Sequence, residues 1–210
     1  TTLFPYTTLF RSTAYSIDMT DHGSAAASSL MNALRATYDA SIAVGYSPLV
    51  STSIYCGEYS KQQILWVMAG NYAVSQGEYT GAELRQMMEW LVNVKDNGAN
   101  PIRHRNYMPV TSGMEYKVTE YEQGKFRLEE LTINGAPLDD TATYTVFVAG
   151  IDVWIENEVY CNCPMPENLK AKRTEYAIEG AESRSCLKDS LAVSKQFPAP
   201  SEYLTIVQGE

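Results

Sequence analysis

The amino-acid sequence predicts an α+β fold, because helical and strand patterns occupy different parts of the chain. Helix-capping signals and apolar residues at helical spacing dominate residues 24–95. From Met114 onward the pattern changes to short runs rich in β-branched and aromatic residues, separated by turn residues. The chain has 210 residues, 45% of them hydrophobic, which is enough for one core without disulfides or metals. We therefore expect one domain.

The first predicted helix begins at Ser24, a residue type that caps helix N-termini well. Leu30, Leu34 and Tyr38 recur at four-residue spacing, so they fall on one face of a helix that runs to about Tyr38. The apolar run 40–44 then predicts a short buried strand.

Capping boxes mark the next two helices. Ser60 and Gln63 form the first box, before a short buried helix. Thr80 and Glu83 form the second, and the apolar residues behind it predict a helix to about Lys95. These apolar residues are Leu84, Met87, Met88, Leu91 and Val92. The methionine pair is interpreted as core filling.

The second half of the chain reads mainly as strands. The first two predicted strands flank a turn at Gly124, and Asn134-Gly135 is a tight-turn dipeptide. The predicted strands are 115–119, 126–133, 143–148 and 203–207, and one further helix is predicted around 185–195.

Charge and composition exclude several classes of function. The chain carries 16 Lys and Arg against 25 Asp and Glu, a net charge of −9, which argues against nucleic-acid binding. No apolar run approaches the roughly 20 residues of a membrane span. His22 and His104 are the only histidines, too few for a dinuclear metallohydrolase centre. No G-x-S-x-G sequence supports a serine hydrolase.

Residues 1–12 are expected to be a non-native segment. The string TLFPYTTLFRS at positions 2–12 matches one reading-frame translation of a common sequencing adapter. A short natural β-segment is the alternative. With an adapter scar, the natural domain occupies residues 13–210, and we expect it to be the C-terminal part of a longer protein assembled from environmental (metagenomic) DNA.

The cysteines and one basic run leave several interpretations open. Cys161-x-Cys163 alone is a weak zinc signal, because two further ligands would be needed. A disulfide involving Cys56, Cys161, Cys163 or Cys186 is a second possibility, and unpaired thiols are the favoured one. The basic run 103–105 could meet an anion, although a solvated loop is the simpler interpretation.

Five short motifs, taken in order, carry a resemblance to a known family. They are Ser29–Leu34 with Ala40–Ala43, Ile54–Ser60, Thr80–Leu84, Val110–Met114, and Leu131–Asp140 with Tyr144–Val146. Over about residues 29–150 the chain resembles the C-terminal domain of the 5'-nucleotidase family, whose full members are two-domain metallophosphatases. The resemblance implies mixed β-sheets with covering helices.

The resemblance also implies a division of labour between two domains. The present domain would bind the nucleoside end of a substrate. An N-terminal metallophosphoesterase domain in cis, which we expect to be missing from this chain, would hold divalent metal ions and hydrolyse the phosphate ester. No cofactor or metal is expected in the present chain. Since the family is exported, the resemblance implies an extracytoplasmic location: secreted, periplasmic or at the cell surface.

The chain departs from the family at the pocket for the nucleoside. Ser51 stands where an arginine is expected, and Ala69 where the family has a stacking phenylalanine. The residues that match the family's two base-contacting loops remain candidates for substrate binding. They are Gly70, Asn71, Tyr72, Asp152 and Trp154. No catalytic residue is expected here.

Asn71 offers a donor and acceptors to a polar ring edge, and Tyr72 or Trp154 could supply one stacking face. The simpler interpretation of Trp66, Tyr72 and Trp90 is that they are core aromatics. We expect a nucleoside-binding domain of a 5'-nucleotidase-like phosphoric monoester hydrolase in nucleotide catabolism. The alternative is a non-catalytic extracellular binding or architectural domain that kept the fold and lost the pocket.

Overall fold

The computed structural model describes residues 10–46, 49–93, 108–151 and 165–209, which form five helices and eleven strands. The helices are α1 (Ala25–Thr37), α2 (Lys61–Val67), α3 (Gly81–Asn93), α4 (Glu167–Glu175) and α5 (Ser183–Ser194). The strands are β1 (Phe10–Ser12), β2 (Ile42–Tyr46), β3 (Gly57–Tyr59), β4 (Ala73–Thr80), β5 (Pro109–Ser112), β6 (Glu115–Glu122), β7 (Lys125–Ile133), β8 (Ala136–Pro137), β9 (Thr143–Ala149), β10 (Ala177–Glu182) and β11 (Leu204–Gln208).

Two mixed sheets form the framework. The larger sheet has the strand order β10-β4-β9-β2-β5, with β2 and β9 parallel and the other pairs antiparallel. The smaller sheet has the order β11-β6-β7-β8, with β11 parallel to β6. Helix α1 packs on β2 and β5, and α3 packs on β7 and β4. The predicted α+β fold with mixed sheets and covering helices is confirmed.

Helices α1, α2 and α3 begin where the capping residues predict. The Ser24 hydroxyl accepts a hydrogen bond from the backbone N–H of Ala27 at 3.3 Å. Ser60 and Gln63 form the reciprocal bonds of a capping box at α2. The Thr80 hydroxyl accepts from the N–H of Glu83 at 3.2 Å, and the Glu83 carboxylate accepts from the N–H of Thr80 at 2.8 Å. Each bond satisfies a backbone donor that a helix N-terminus leaves unpaired.

The sequence did not predict every element. The sequence left the segment after Asn71 open between a strand and an extended connection, and the structure has β4 there, an eight-residue strand inside the larger sheet. Helix α4 and strand β10 had no prediction, and α5 begins at Ser183, two residues before the predicted start. The difference matters for function, because the junction between β10 and α5 lies against the predicted binding loop.

Strand β1 contains the last residues of the segment expected to be non-native. It pairs antiparallel with β3, joining Phe10 to Tyr59 and Ser12 to Gly57. This two-stranded ribbon is separate from both larger sheets, so β1 is not a central strand. Residues 1–9 lie outside the described residues, and the non-native origin of 1–12 stays a prediction.

Tyr203 connects the start of α1 to the smaller sheet. Its hydroxyl accepts a hydrogen bond from the backbone N–H of Ser24 at 2.9 Å, and its ring lies 6.3 Å from that of Tyr116. Burial raises the pKa of Tyr203, so the phenol stays neutral. Met87 and Met88 are fully buried, as predicted. Among the described residues, no helix combines the length and apolar character that crossing a membrane requires.

Candidate functional site

Four segments meet at one end of the larger sheet, which we call the loop end and define by residues 49–51, 66–72, 150–151 and 182–184. Strands β2 and β9 are parallel, so the segments that follow them leave the sheet at the same end. Strand β4 is antiparallel to β9, with Val74 opposite Ala149, so the segment before β4 lies there too. The sheet topology therefore places the first residues of the second predicted loop, 150–151, at the same end of the sheet as the first predicted loop.

The segment that includes Ser51 lies directly beside the end of α2. The N–H of Ser51 donates to the carbonyl of Val67 at 2.8 Å, and the N–H of Ala69 donates to the carbonyl of Leu49 at 2.7 Å. The Ser51 hydroxyl donates to the carbonyl of Trp66. Ser51 is thus engaged locally and brings no positive charge to the loop end.

Asn71 uses its amide to hold the junction between β10 and α5. Its Nδ2 donates to the Glu182 carboxylate, and its Oδ1 accepts from the backbone N–H of Arg184 at 3.2 Å. An asparagine side chain has two donors and two acceptor lone pairs. One donor and one lone pair of Asn71 therefore remain for a ligand.

Tyr72 is half-buried and folds over Gly70. A Cβ at Gly70 would lie 2.6 Å from Cζ of the tyrosine ring, so a larger residue there would push the ring aside. The N–H of Tyr72 donates to the Ser183 hydroxyl at 3.0 Å, and its carbonyl accepts from the N–H of Ser183 at 2.8 Å. Burial raises the pKa of Tyr72, with the positive charge of Arg184 opposing this in part. The two backbone bonds anchor Tyr72 to Ser183, and its neutral ring offers an aromatic face for stacking.

Arg184 brings a guanidinium group to the loop end. Its Nη2 donates to the carbonyl of Met68, the C-cap residue of α2, at 2.9 Å. Its Nε is buried and has no hydrogen-bond partner among the residues that the structure describes. A cation next to the last carbonyls of a helix is favourable, because the helix dipole is negative there.

The structure brings together Gly70, Asn71 and Tyr72, and places Gly150 near them. The N–H of Gly150 approaches the carbonyl of Ala73 at 3.5 Å. The other two predicted substrate-binding residues, Asp152 and Trp154, lie outside the described residues, as do residues 103–105 and Cys161 with Cys163. No geometry is assigned to them.

Three residues at the loop end were missed or misread from the sequence. Glu182 and Arg184 had no motif to mark them, because their contacts join positions more than 100 residues apart. Trp66, interpreted as a core residue, is 62% exposed. Helix α2 buries Ile64 and Val67 on one face and leaves Trp66 on the other. Only Trp90 behaves as the predicted core tryptophan.

Other candidate features lie away from this site. Of the cysteines in the described ranges, Cys56 is an exposed thiol and Cys186 a buried one, and both are free. Within those ranges no group of three or more His, Cys, Asp or Glu side chains is arranged to hold a metal. The larger of two described cavities, about 440 Å³, lies on the smaller sheet next to Lys117, Glu130 and Glu202. None of the predicted binding residues lines this open cavity. We therefore place the candidate site at the loop end, where Gly70, Asn71 and Tyr72 lie.

Comparison with solved structures finds similar folds in much longer proteins. A 5'-nucleotidase precursor from Thermus thermophilus has a TM-score of 0.64 at 16% identity, covering 96% of this chain and 39% of that one. The NAD nucleotidase NadN of Haemophilus influenzae has a TM-score of 0.67 at 12% identity, covering 96% and 38%. The sulfate thiohydrolase SoxB of Thermus thermophilus has a TM-score of 0.64 at 16% identity, covering 94% and 34%. The chain thus spans less than two fifths of the length of these proteins.

Sequence comparison gives the family. No curated protein matches the chain. The family model of the 5'-nucleotidase C-terminal domain matches residues 10–151, which includes the loops from 49–51 to Gly150. The resemblance inferred from the five motifs is confirmed over a longer span than the motifs covered. The chain belongs to the family of 5'-nucleotidase C-terminal domains.

Proposed function

We propose that this chain is the nucleoside-side substrate-binding domain of a 5'-nucleotidase-like phosphoric monoester hydrolase that acts in nucleotide catabolism. The observation that carries the proposal is the meeting of Gly70, Asn71 and Tyr72 with Gly150 at the loop end. The ring of Tyr72 supplies one stacking face, and the remaining donor and lone pair of Asn71 suit the polar edge of a base.

Catalysis would belong to a separate N-terminal metallophosphoesterase domain in cis. The similar solved proteins are more than twice as long as this chain, which leaves room for such a domain in a protein of this kind. Divalent metal ions held there would polarise the phosphoryl oxygen and activate a water molecule. We also propose an extracytoplasmic location, because exported proteins are typical of the family that the chain resembles.

A second candidate is a non-catalytic extracellular binding or architectural domain. It is favoured by Ser51 and Ala69, which stand where an arginine and a stacking phenylalanine were expected. The likeness to a sulfate thiohydrolase also means that the fold alone does not fix a nucleotide substrate. The natural upstream sequence discriminates between the two: Asp-x-His and Gly-Asn-His-Asp/Glu motifs there would favour the enzyme.

The first prediction concerns nucleoside affinity. Calorimetric titration of the chain with adenosine and uridine should give millimolar dissociation constants or weaker, because one stacking face and the expected arginine are absent. Millimolar affinity corresponds to roughly 4 kcal/mol. The double variant Asn71→Ala, Tyr72→Ala should lose the binding.

Tyr121→Ala is the matched control for the titration, because Tyr121 is an exposed tyrosine on the smaller sheet, at 54% exposure. It should bind as the unchanged chain does. Binding that survives the double substitution would place the site elsewhere, and a micromolar constant would mean a pocket built from other residues.

A further inference from the structure

We propose that Asn134 is a site of spontaneous covalent modification, where the backbone nitrogen of Gly135 attacks the asparagine side chain and converts residue 134 to aspartate or isoaspartate. The site lies in the turn between β7 and β8, on the smaller sheet and away from the loop end. The inference is therefore independent of the proposed function.

The turn leaves both reacting residues in solvent. Ile133 and Ala136 pair on either side of it, so the connection has two residues. Asn134 and Gly135 have φ of 52° and 76°, the positive values that a type I′ turn requires at both positions. Both residues are exposed, and a Cβ on Gly135 would meet nothing within 4 Å. Water and hydroxide therefore reach the reacting atoms.

The reacting groups are also free of hydrogen bonds. Within the part of the chain that the structure describes, neither the Asn134 side chain nor the backbone N–H of Gly135 has a hydrogen-bond partner. The other asparagine side chains described there each donate one: Asn32, Asn71 and Asn168. Those three are followed by residues with a Cβ, whereas Gly135 has none to crowd its nitrogen. Asn134 is thus set apart by its surroundings as well as by its neighbour.

The reaction needs only water. Loss of a proton makes the Gly135 nitrogen a nucleophile, and its attack on Cγ of Asn134 closes a succinimide ring and expels the side-chain nitrogen as ammonia. One water molecule then opens the ring at either of its carbonyls. One opening gives aspartate, and the other gives isoaspartate, whose main chain is longer by one carbon. Because the first step needs a deprotonated nitrogen, the rate should rise with pH.

The position of the turn allows the rotation that ring closure needs. The peptide between Asn134 and Gly135 must turn so that its nitrogen faces Cγ, and the closed turn opposes this. However, β8 has only two residues and is the edge strand of its sheet, so it can open locally at low cost. We expect the folded chain to react no more than about tenfold slower than the unfolded chain.

The product changes both the charge and the anchoring of the hairpin. Gly135 lines the cavity of about 440 Å³ that Glu115, Glu130 and Glu202 also line, so a new carboxylate would add to the negative charge there. The longer main chain of isoaspartate would shift β8 against β7. Buried Leu138 follows β8, and its N–H donates to the carbonyl of Leu131 at 2.9 Å. We therefore expect the modified chain to be less stable.

Mass spectrometry of one peptide tests the proposal. Cleavage after Glu130 and Glu156 releases residues 131–156, in which Asn134 is the only asparagine and glutamine is absent. In the folded chain, aged at neutral and at alkaline pH, this peptide should gain the mass of an amide-to-acid change, faster at the higher pH. Isoaspartyl methyltransferase should label the product. The same chain unfolded in guanidinium gives the reference rate.

Asn134→Gln is the matched control, because it keeps the side-chain amide but would have to close a larger ring. Its peptide should keep its mass, and its urea unfolding midpoint should not fall on ageing, whereas that of the unchanged chain should. This control also accounts for Asn97-Gly98, which lies outside both the described residues and the peptide. The proposal is overturned if the peptide keeps its mass in the folded chain while the unfolded chain reacts, or if the control gains mass equally. The comparison of folded with unfolded chain needs no variant.

Discussion

Glu83 joins three parts of the molecule through a single carboxylate. It accepts hydrogen bonds from the backbone N–H of Thr80 at 2.8 Å and from Nζ of Lys172 at 2.6 Å. Lys172 also donates to the carbonyl of Glu78 at 3.2 Å. The capping box of α3 therefore doubles as the attachment point of α4. Partial burial alone would raise the pKa of Glu83, but the hydrogen bonds from Lys172 and Thr80 outweigh it and lower the pKa.

We predict that Glu83→Gln lowers the free energy of unfolding by about 1 kcal/mol at pH 7, because glutamine can keep the capping-box hydrogen bond but loses the partly buried ion pair with Lys172. Because the folded-state pKa of Glu83 is lowered, its contribution is complete above the usual value of 4.5 and is lost as the pH falls through the folded-state value. The difference between the two proteins should therefore shrink below pH 4.5. Urea unfolding at pH 7 and pH 4 measures this.

Glu130→Gln is the control for this experiment, because Glu130 pairs with Lys117 on the surface, where the two side chains are 59% and 39% exposed. Exposed pairs contribute little, so the effect should stay within about 0.5 kcal/mol. An equal loss of stability in both variants, or one that grows as the pH falls, would contradict the role given to Glu83.

Single residues at the loop end differ in how far the sequence could reveal them. Gly70 and Asn71 were predicted because they match one of the family's base-contacting loops, and Tyr72 because it follows them. Glu182 and Arg184 meet that motif only through the fold, across 111 to 116 positions. No local pattern encodes such a contact.

At the scale of elements, the junction between β4 and α3 explains the Thr-Gly motif. A Cβ on Gly81 would lie 2.0 Å from the carbonyl oxygen of Asp139, in the loop before β9. The N–H of Gly81 donates to the carbonyl of Ala142 at 2.9 Å, and that of Ala82 to the carbonyl of Asp140 at 3.0 Å. The Thr-Gly motif at the start of α3 and the loop before β9, about 60 residues apart in sequence, are thus joined by backbone contacts.

We predict that Gly81→Ala destabilises the domain by about 2 kcal/mol or more, because the colliding atom belongs to backbone and cannot move aside cheaply. Ala82→Ser is the control, since Ala82 is the exposed neighbour and its change should cost less than about 0.5 kcal/mol. The urea unfolding midpoints of the two variants measure this difference in stability. If Gly81→Ala lost no more stability than the control, the Asp139 carbonyl could not lie as close to Gly81 as the structure shows.

Elements with capping signals or a clear apolar period were predictable, and those without were not. Helix α4 buries only Leu169, and its N-cap, Pro166, has no side-chain hydrogen bond to mark the start. Strand β10 lies at a sheet edge, contains no fully buried residue and includes Gly180. Neither shows the periodicity on which sequence interpretation depends. Both α4 and β10 contact β4, and these tertiary contacts stabilise their secondary structure.

At the scale of the whole molecule, helix α1 near the start of the described chain contacts residues 198–201 near its end. Ser28 of α1 exchanges hydrogen bonds with Ser201, both at 2.8 Å, and Ser29 donates to the carbonyl of Pro198 at 2.7 Å. From there β11 joins the smaller sheet beside β6 in parallel. The parallel pairing of β11 with β6 could not be predicted from local patterns, because the two strands are far apart in sequence and meet only through long-range packing. The loop end lies on the other sheet, where strand order and contacts with α2 and α5 place its described segments side by side.

The last prediction concerns the chemistry of the whole chain. It should release no phosphate from AMP, even with added Mg²⁺, Mn²⁺ or Zn²⁺, because hydrolysis of this type needs a metal centre that activates water and polarises the phosphoryl group. Such centres spend several imidazoles on their metals, and the chain has only His22 and His104. A phosphate-release assay on protein purified free of phosphatase, with His104→Ala as the matched variant, measures this. Release that follows the protein through purification and is lost in His104→Ala would place a catalytic centre in this domain, whereas binding of AMP without release is the result expected of a substrate-binding domain.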